Sequence, residues 1–141
     1  LIAVPTLELL ASEAIRKHGD TACLYCAMMD ARRMEVYSAL YNARLQLVRE
    51  TRAEIITPES YASWRETRRI CFFGDGATKC QPVLTSENTV FLDEIYPLAA
   101  AMVPLAEEAF LEKRLVDTAY FEPLYLKEFI ATPPKNKVLG K

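Results

Sequence analysis

Residues 21–42, TACLYCAMMDARRMEVYSALYN, decide the fold of this chain. Residues 22–29 are all apolar or aromatic, which is typical of a strand covered on both faces. Asp30 then suits the first position of a type I turn, because its carboxylate can accept hydrogen bonds from the amides of the turn. Residues 34–41 are rich in β-branched and aromatic side chains and lack a helical period. The stretch predicts an antiparallel hairpin at the centre of a sheet.

The flanking sequence completes an α/β pattern. A first helix is predicted from Thr6, as its cap, to Gly19, with an apolar stripe formed by Leu7, Leu10, Ala11, Ala14 and Ile15. After the hairpin, the predicted elements are a third antiparallel strand over 45–51, a helix from Thr57 to about Arg68, strands over 70–73 and 90–92, and a last helix over 97–114. Pro82 should limit a short helical turn before the last strand, and Pro104 should kink or split the last helix. The order of elements predicts an α/β fold with a mixed sheet and flanking helices: a ribonuclease-H-like half, the unit that occurs twice in the actin-like ATPase and sugar-kinase superfamily.

Composition sets the broad class of the chain. It has 141 residues, 51% of them hydrophobic and 26% charged, as expected for one globular domain. The net charge of −2 argues against a general nucleic-acid binder. In the third strand, Arg44, Arg49 and Arg52 are balanced by Glu50 and Glu54, which favours a solvated edge over RNA contact. No apolar run reaches the length of a membrane span, and we expect a cytoplasmic protein.

The ends of the chain suggest how it is organised. It opens on Leu1, without Met and directly in an apolar run, so we expect a fragment of a longer protein. Residues 1–131 are predicted to form a single ribonuclease-H-like domain, with 132–141 as a loose basic tail. Residues 120–126, YFEPLYL, are too apolar to be free in solvent, and we expect them to pack as an extended strip.

The cysteines are predicted to be reduced and mostly buried. Cys23 and Cys26 have CxxC spacing, but residues three apart in a strand point to opposite faces and cannot share a ligand. A redox CxxC also needs a helix N-terminus after it, and none is predicted here. His18 is predicted to be partly buried near the end of the first helix. We therefore expect no zinc and no disulfide at Cys23 and Cys26, and no metal ligands among these residues.

Three stretches carry a family resemblance: VPTLELLA (4–11), ARRMEVYSALY (31–41) and EPLYLK (122–127). Together and in this order, they resemble the C-terminal lobe of the bacterial TsaB (YeaZ-like, "glycoprotease-like") family. The resemblance implies the same ribonuclease-H-like fold and a part in making threonylcarbamoyladenosine on tRNA. It also implies that a preceding lobe completes the protein.

The residues Gly74, Asp75 and Gly76 are the candidate cofactor-binding site. They follow a buried strand, where glycines let backbone amides approach a phosphate or an adenosine. A tight turn explains the same residues and is favoured. Asp30, Glu35 and Asp75 could imitate the carboxylates of a two-metal nuclease, but their positions do not predict convergence. With one histidine and no Gly-x-Ser-x-Gly elbow, a hydrolase triad is not indicated, and no catalytic residues are predicted.

Two functional hypotheses follow. In the first, implied by the resemblance, the chain is a non-catalytic scaffold for a paralogous catalytic subunit (TsaD-like), assisted by an ATPase subunit (TsaE-like) and contacting tRNA only indirectly. In the second, it is a lobe of an ATP-dependent kinase-like enzyme that uses Gly74 and Gly76. We expect no cofactor in the chain itself, with ATP possible in the full complex. Self-association, as a homodimer or otherwise, is expected through residues 1–4, 7–15 or 120–126.

Overall fold

The computed structural model describes residues 1–126; the predicted tail, 132–141, and the last residues of the predicted domain, 127–131, lie outside this range. Its elements are α1 (Thr6–His18), β1 (Leu24–Asp30), β2 (Glu35–Tyr41), β3 (Leu47–Ile55), α2 (Ala62–Arg65), β4 (Ile70–Phe73), α3 (Ala77–Leu84), β5 (Thr89–Leu92), a 3-10 turn (Ala99–Ala101) and α4 (Met102–Leu111). Within this range, no helix is both long enough and apolar enough to span a membrane.

The five strands form one mixed sheet in the order β3-β2-β1-β4-β5. β1, β2 and β3 are antiparallel neighbours, whereas β4 runs parallel to β1 and β5 runs parallel to β4. The predicted hairpin lies at the centre, and Asp30 accepts a hydrogen bond from the Arg32 amide at 2.8 Å, as its turn position predicts. The predicted ribonuclease-H-like α/β fold with flanking helices is confirmed.

Side chains on the two faces of the sheet form two separate cores. The α1 face buries the stripe of α1, including Leu7 and Leu10, against Tyr25 and Phe73. The α3 face buries Phe72 and its neighbours against residues of α3 and the loop before α2. Cys23 belongs to the α1 face and Cys26 to the α3 face, so the predicted opposite orientation of the two sulfurs is confirmed.

The first helix ends where the sequence predicts. Gly19 adopts a left-handed conformation, with φ of 71°, and its amide donates to the Ile15 carbonyl at 2.9 Å. Its start differs from the prediction, because Pro5 occupies the cap position and Thr6, the predicted cap, makes no side-chain capping hydrogen bond. His18 is exposed, not partly buried, since it lies on the last turn beyond the edge of the sheet.

Three other elements differ from prediction. The helix expected over 57–68 is only one turn, Ala62–Arg65, because Tyr61 has a left-handed backbone with φ of 63°. Pro82 lies inside α3 and does not stop it before Leu84. Pro104 is the third residue of α4, where its missing N–H costs no helical hydrogen bond, and the predicted split falls before it, between the 3-10 turn and α4.

Candidate functional site

The predicted cofactor-binding turn lies at the carboxyl ends of β1 and β4. Gly74 has φ of 97°, and a Cβ there would overlap the carbonyl oxygen of Met28. A Cβ on Gly76 would lie 2.8 Å from the Met29 carbonyl carbon, and the Gly76 amide already donates to the Met28 carbonyl at 3.1 Å. The glycines therefore allow the turn to pack directly against the backbone of β1, as a tight turn requires.

The polar groups at this carboxyl end are paired with one another. Asp75 accepts a hydrogen bond from the Asp30 amide at 3.0 Å, because β1 and β4 are parallel neighbours and end at the same edge. This contact joins the Asp30 backbone to the Asp75 side chain, and among residues 1–126 the carboxylates of Asp30, Glu35 and Asp75 do not form a group that could hold a metal ion. Lys79, however, pairs with the Asp30 carboxylate and donates to the Glu35 carbonyl at 2.7 Å. The hydrogen bond from Lys79, followed by the hydrogen bond from the Arg32 amide, lowers the pKa of the Asp30 carboxyl.

A different group of side chains gathers at the amino end of the same strands. One ligand atom each of His18, Cys23 and Cys71 lies within 4.8 Å of the other two. Asp20 adds a carboxylate oxygen that accepts from the Cys23 thiol at 3.1 Å. Burial, followed by this contact with Asp20, raises the pKa of Cys23, and burial followed by its contact with Cys23 raises that of Cys71.

Local sequence reasoning missed this group at the amino end. CxxC spacing draws attention to Cys26, which points to the other face, whereas the neighbour of Cys23 is Cys71, on a distant strand. The parallel register that pairs Tyr25 with Cys71 brings these sulfurs together. The available signal was the apolar pattern of the two strands, which predicts that they are neighbours, combined with the presence of a cysteine near the start of each.

A buried polar network lies on the α3 face. Arg49 donates to the Ser38 hydroxyl at 2.8 Å, to the Tyr61 hydroxyl at 2.7 Å and to Glu54. Tyr61 donates to Glu54 at 2.6 Å, and its ring lies 4.3 Å from the Arg49 guanidinium. Burial alone would raise the pKa of Glu54, but the hydrogen bonds from Arg49, Ser38 and Tyr61 lower it. The prediction of a solvated edge is wrong for Arg49 and Glu54, which hold strand β3 to the core.

An open apolar cleft lies beside the start of α1. Its volume is about 730 Å³, and its walls are formed by residues 3–7, by Met29, Tyr37 and Thr51 of the sheet, and by residues 121–126. The predicted strip 120–126 contributes to this wall but is mostly exposed: Tyr120 and Tyr125 are 85% and 80% accessible. The expectation that the strip packs as an extended segment is met only in part: it lines the cleft, but most of its large side chains remain exposed.

The surfaces expected to mediate association also need revision. The apolar stripe of α1 is buried against the sheet and is not available. Leu1 is exposed, and α4 adds an outward apolar side with Val103, Phe110 and Leu111. The exposed apolar surface of the described residues thus includes the N-terminal residue, α4 and the strip 120–126.

The fold of the chain indicates the class of protein to which it is similar. A Pseudomonas aeruginosa protein described as similar to peptidase YeaZ has the same fold, with a TM-score of 0.71 at 24% identity over 89% of this chain and 58% of its own. YeaZ from Pseudomonas aeruginosa matches with a TM-score of 0.67 at 24% identity and the same coverage. The chain therefore has the ribonuclease-H-like fold found in YeaZ proteins.

Sequence similarity then specifies the family. The chain is 32% identical to the tRNA threonylcarbamoyladenosine biosynthesis protein TsaB of Escherichia coli K12 over 93% of its length. The resemblance to the TsaB (YeaZ) family is confirmed. The chain spans 58% of the length of TsaB. No protein-family model matches the chain.

Proposed function

We propose that this chain is the C-terminal, non-catalytic lobe of a TsaB-like subunit in the synthesis of threonylcarbamoyladenosine on tRNA. The observation that carries the proposal is the similarity to TsaB along 93% of the chain. In this function the chain acts in the cytoplasm as part of a scaffold for a paralogous, TsaD-like catalytic subunit. A TsaE-like subunit supplies the ATPase, and tRNA contacts the assembly mainly through the other subunits, in keeping with a net charge of −2 on this chain.

The exposed apolar surface supports a part in an assembly. Large exposed apolar patches usually mark a surface that another protein or lobe covers. The cleft beside α1, the outward side of α4 and the strip 120–126 are such a surface. We propose that a preceding lobe of the longer protein covers part of it, and that in its absence copies of the chain associate through it.

Nucleoside analysis of tRNA tests the main proposal. In cells depleted of the native protein, the full-length protein should restore threonylcarbamoyladenosine, measured by mass spectrometry of digested tRNA. The 141-residue chain alone should not restore it, because it contains only part of the subunit. Normal levels of the nucleoside in depleted cells would contradict the proposed function, and full restoration by the chain alone would contradict its assignment as a dependent lobe.

Sedimentation tests the association. Replacing Leu124 and Tyr125, which are 75% and 80% exposed, by serine should shift the chain towards the monomer without loss of folding. Glu122→Ser, in the same exposed strip, is the matched control and should leave the distribution between monomer and larger species unchanged. A chain that is monomeric at high concentration before any substitution would contradict this part of the proposal.

The alternative function is a lobe of an ATP-dependent kinase-like enzyme, with the nucleotide at Gly74, Asp75 and Gly76. The position of this turn at the carboxyl ends of parallel strands favours it, since ligands bind at such ends in α/β sheets. Calorimetry separates the alternatives. Micromolar binding of ATP to the 141-residue chain would favour the kinase-like function, whereas the scaffold function predicts weak binding or none, because half a cleft does not enclose a ligand.

A further inference from the structure

The donor atoms at the amino end of β1 and β4 come from three separate parts of the chain. His18 is the last residue of α1, Cys23 precedes β1 and Cys71 is the second residue of β4. The left-handed turn at Gly19 brings the chain back under the helix, and the register of the parallel strands places both cysteines on the α1 face. The tertiary fold, rather than local spacing, therefore assembles an imidazole and two thiols.

This donor set suits one class of metal ion. Two cysteine sulfurs and one histidine nitrogen are typical ligands of tetrahedral Zn²⁺, with bonds of about 2.3 Å and 2.0–2.1 Å. Ligand atoms around such an ion lie roughly 3.3–3.8 Å apart, by the same bond lengths and tetrahedral angles. In the structure, the three atoms are within 4.8 Å of one another. The exposed His18 ring is free of close packing and can adjust to this geometry.

The surroundings supply a neighbouring carboxylate and a favourable electrostatic field. Asp20 lies beside the three donors but is not one of the group within 4.8 Å; its carboxylate oxygen accepts a hydrogen bond from the Cys23 thiol at 3.1 Å. The carbonyl of Asp20 accepts a hydrogen bond from the buried Tyr25 hydroxyl at 2.9 Å, which fixes this loop. The C-terminus of α1 adds partial negative charge beside His18.

One positive group opposes a cation at this position. An Arg69 nitrogen lies 3.5 Å from the Asp20 carboxylate. The Arg69 side chain is 55% exposed, so it can move into solvent when the carboxylate binds an ion. The Tyr25 ring faces the His18 ring edge-on, with 6.3 Å between the ring centroids.

We propose that His18, Cys23 and Cys71, with Asp20 as the fourth ligand, form a structural Zn²⁺ site. The ion fixes the end of α1 to the amino end of the central parallel strands. His18, Cys23 and Cys71 leave one position of a tetrahedral ion open, and the Asp20 carboxylate takes it by turning away from Arg69. With four protein ligands such a site is closed and structural, not catalytic. This inference does not depend on the proposed function in tRNA modification. It departs from the expectation, drawn from the spacing of Cys23 and Cys26 and from the setting of His18, that the chain has no metal ligands.

Metal titration of the 141-residue chain in a non-thiol reductant tests the site. After treatment with a chelator, Co²⁺ should bind at one equivalent per chain and give the thiolate-to-cobalt charge-transfer band and the tetrahedral d–d bands. Zn²⁺ should then displace it. His18→Ala should weaken Zn²⁺ binding by about 100-fold or more, since loss of even an outer-shell partner costs about 10–100-fold.

The controls separate loss of the site from loss of the fold. His18 is exposed, so His18→Ala should keep the circular dichroism spectrum of the parent chain. Cys71→Ser should remove the charge-transfer band or weaken it strongly, whereas Cys26→Ala, which changes the other cysteine of the CxxC, should leave Co²⁺ and Zn²⁺ binding unchanged. The proposal is overturned if the parent chain binds no Co²⁺ or Zn²⁺, if His18→Ala binds as tightly as the parent, or if Cys26→Ala abolishes binding.

Discussion

The two ends of the parallel strands β1 and β4 differ in how their polar groups are used. At the carboxyl end, Gly74 and Gly76 press against the β1 backbone, and Asp30, Asp75 and Lys79 satisfy one another. At the amino end, a histidine and two thiols converge beside an open turn at Gly19, with the Asp20 carboxylate next to one of the thiols. General rules for α/β sheets direct attention to carboxyl ends. In this chain, the donor atoms suited to a metal ion lie at the other end.

The largest effect on stability is expected at Gly74, at the carboxyl end of the strands, and the same change at Gly19, at the amino end, is its comparison. Gly74→Ala combines a positive φ with overlap on the Met28 carbonyl and should lower the free energy of unfolding by more than about 3 kcal/mol. Gly19→Ala meets no atom within 4 Å and should cost only about 1–2 kcal/mol from its φ of 71°. Urea denaturation of both variants measures the difference. Equal losses would show that the carboxyl end is not packed more tightly than the amino end.

The network on the α3 face gives a reference for a polar cluster that is held by several side-chain hydrogen bonds. Arg49→Met leaves Glu54 without its cation, and because their side chains are only 14% and 22% exposed, the variant should lose about 2–3 kcal/mol. Arg52→Met, on the same strand but exposed, is the control and should change stability by less than about 0.5 kcal/mol. Similar melting temperatures for the two variants would show that the network does not stabilise β3.

A smaller effect is expected from the hydrogen bond that supports the amino end. Tyr25→Phe removes the bond from the buried hydroxyl to the Asp20 carbonyl and should cost about 1 kcal/mol. Tyr120→Phe, at an exposed position, is the matched control. The metal-free chain should be used for both, so that denaturation reports the protein contacts alone. A loss no greater than that of Tyr120→Phe would mean that the loop around Asp20 is not fixed by Tyr25.

The smallest effect is a change in pH dependence at the carboxyl end. Lys79, followed by the Arg32 amide, lowers the pKa of Asp30, so this carboxylate stabilises the fold above its unfolded pKa of about 4. That contribution is lost as the pH falls through the lower, folded pKa. Lys79→Gln should raise the pKa of Asp30 in an NMR titration and bring it closer to the unfolded value. Lys17→Gln, on α1, should leave it unchanged, and an unaltered Asp30 pKa in Lys79→Gln would exclude the ion pair as the cause.

How far the sequence predicts the structure depends on the range of the interactions. The hairpin, β4 and β5 follow from local apolar patterns, and the end of α1 follows from Gly19. The helix predicted over 57–68 fails because nothing in its pattern reveals the left-handed backbone at Tyr61. Burial of Arg49 with Glu54 was missed because their spacing along an edge strand also fits two solvated charges.

The candidate sites also divide into features that follow from local sequence and features that depend on contacts between distant residues. The spacing of Cys23 and Cys26 correctly predicts that they point apart, but the proximity of Cys23 to Cys71 depends on the register of two strands distant in sequence. The α1 stripe is buried whereas the strip 120–126 and one side of α4 are exposed, and only the packed structure distinguishes these apolar segments. Local patterns therefore predict the helices and strands and the sheet face to which a side chain points. The register of strands that are distant in sequence brings the donor groups together.

An NMR titration of backbone amides tests the contrast between the two ends most directly, because both are observed in one spectrum of the 141-residue chain. Adding Zn²⁺ to the metal-free chain should shift the amides of residues 18–24 and 69–72, and adding Mg²⁺ with ATP should leave those of residues 74–79 in place. Shifts at residues 74–79 with ATP, together with none at residues 18–24 with Zn²⁺, would contradict the account and place the ligand-binding end of the sheet at Gly74–Gly76.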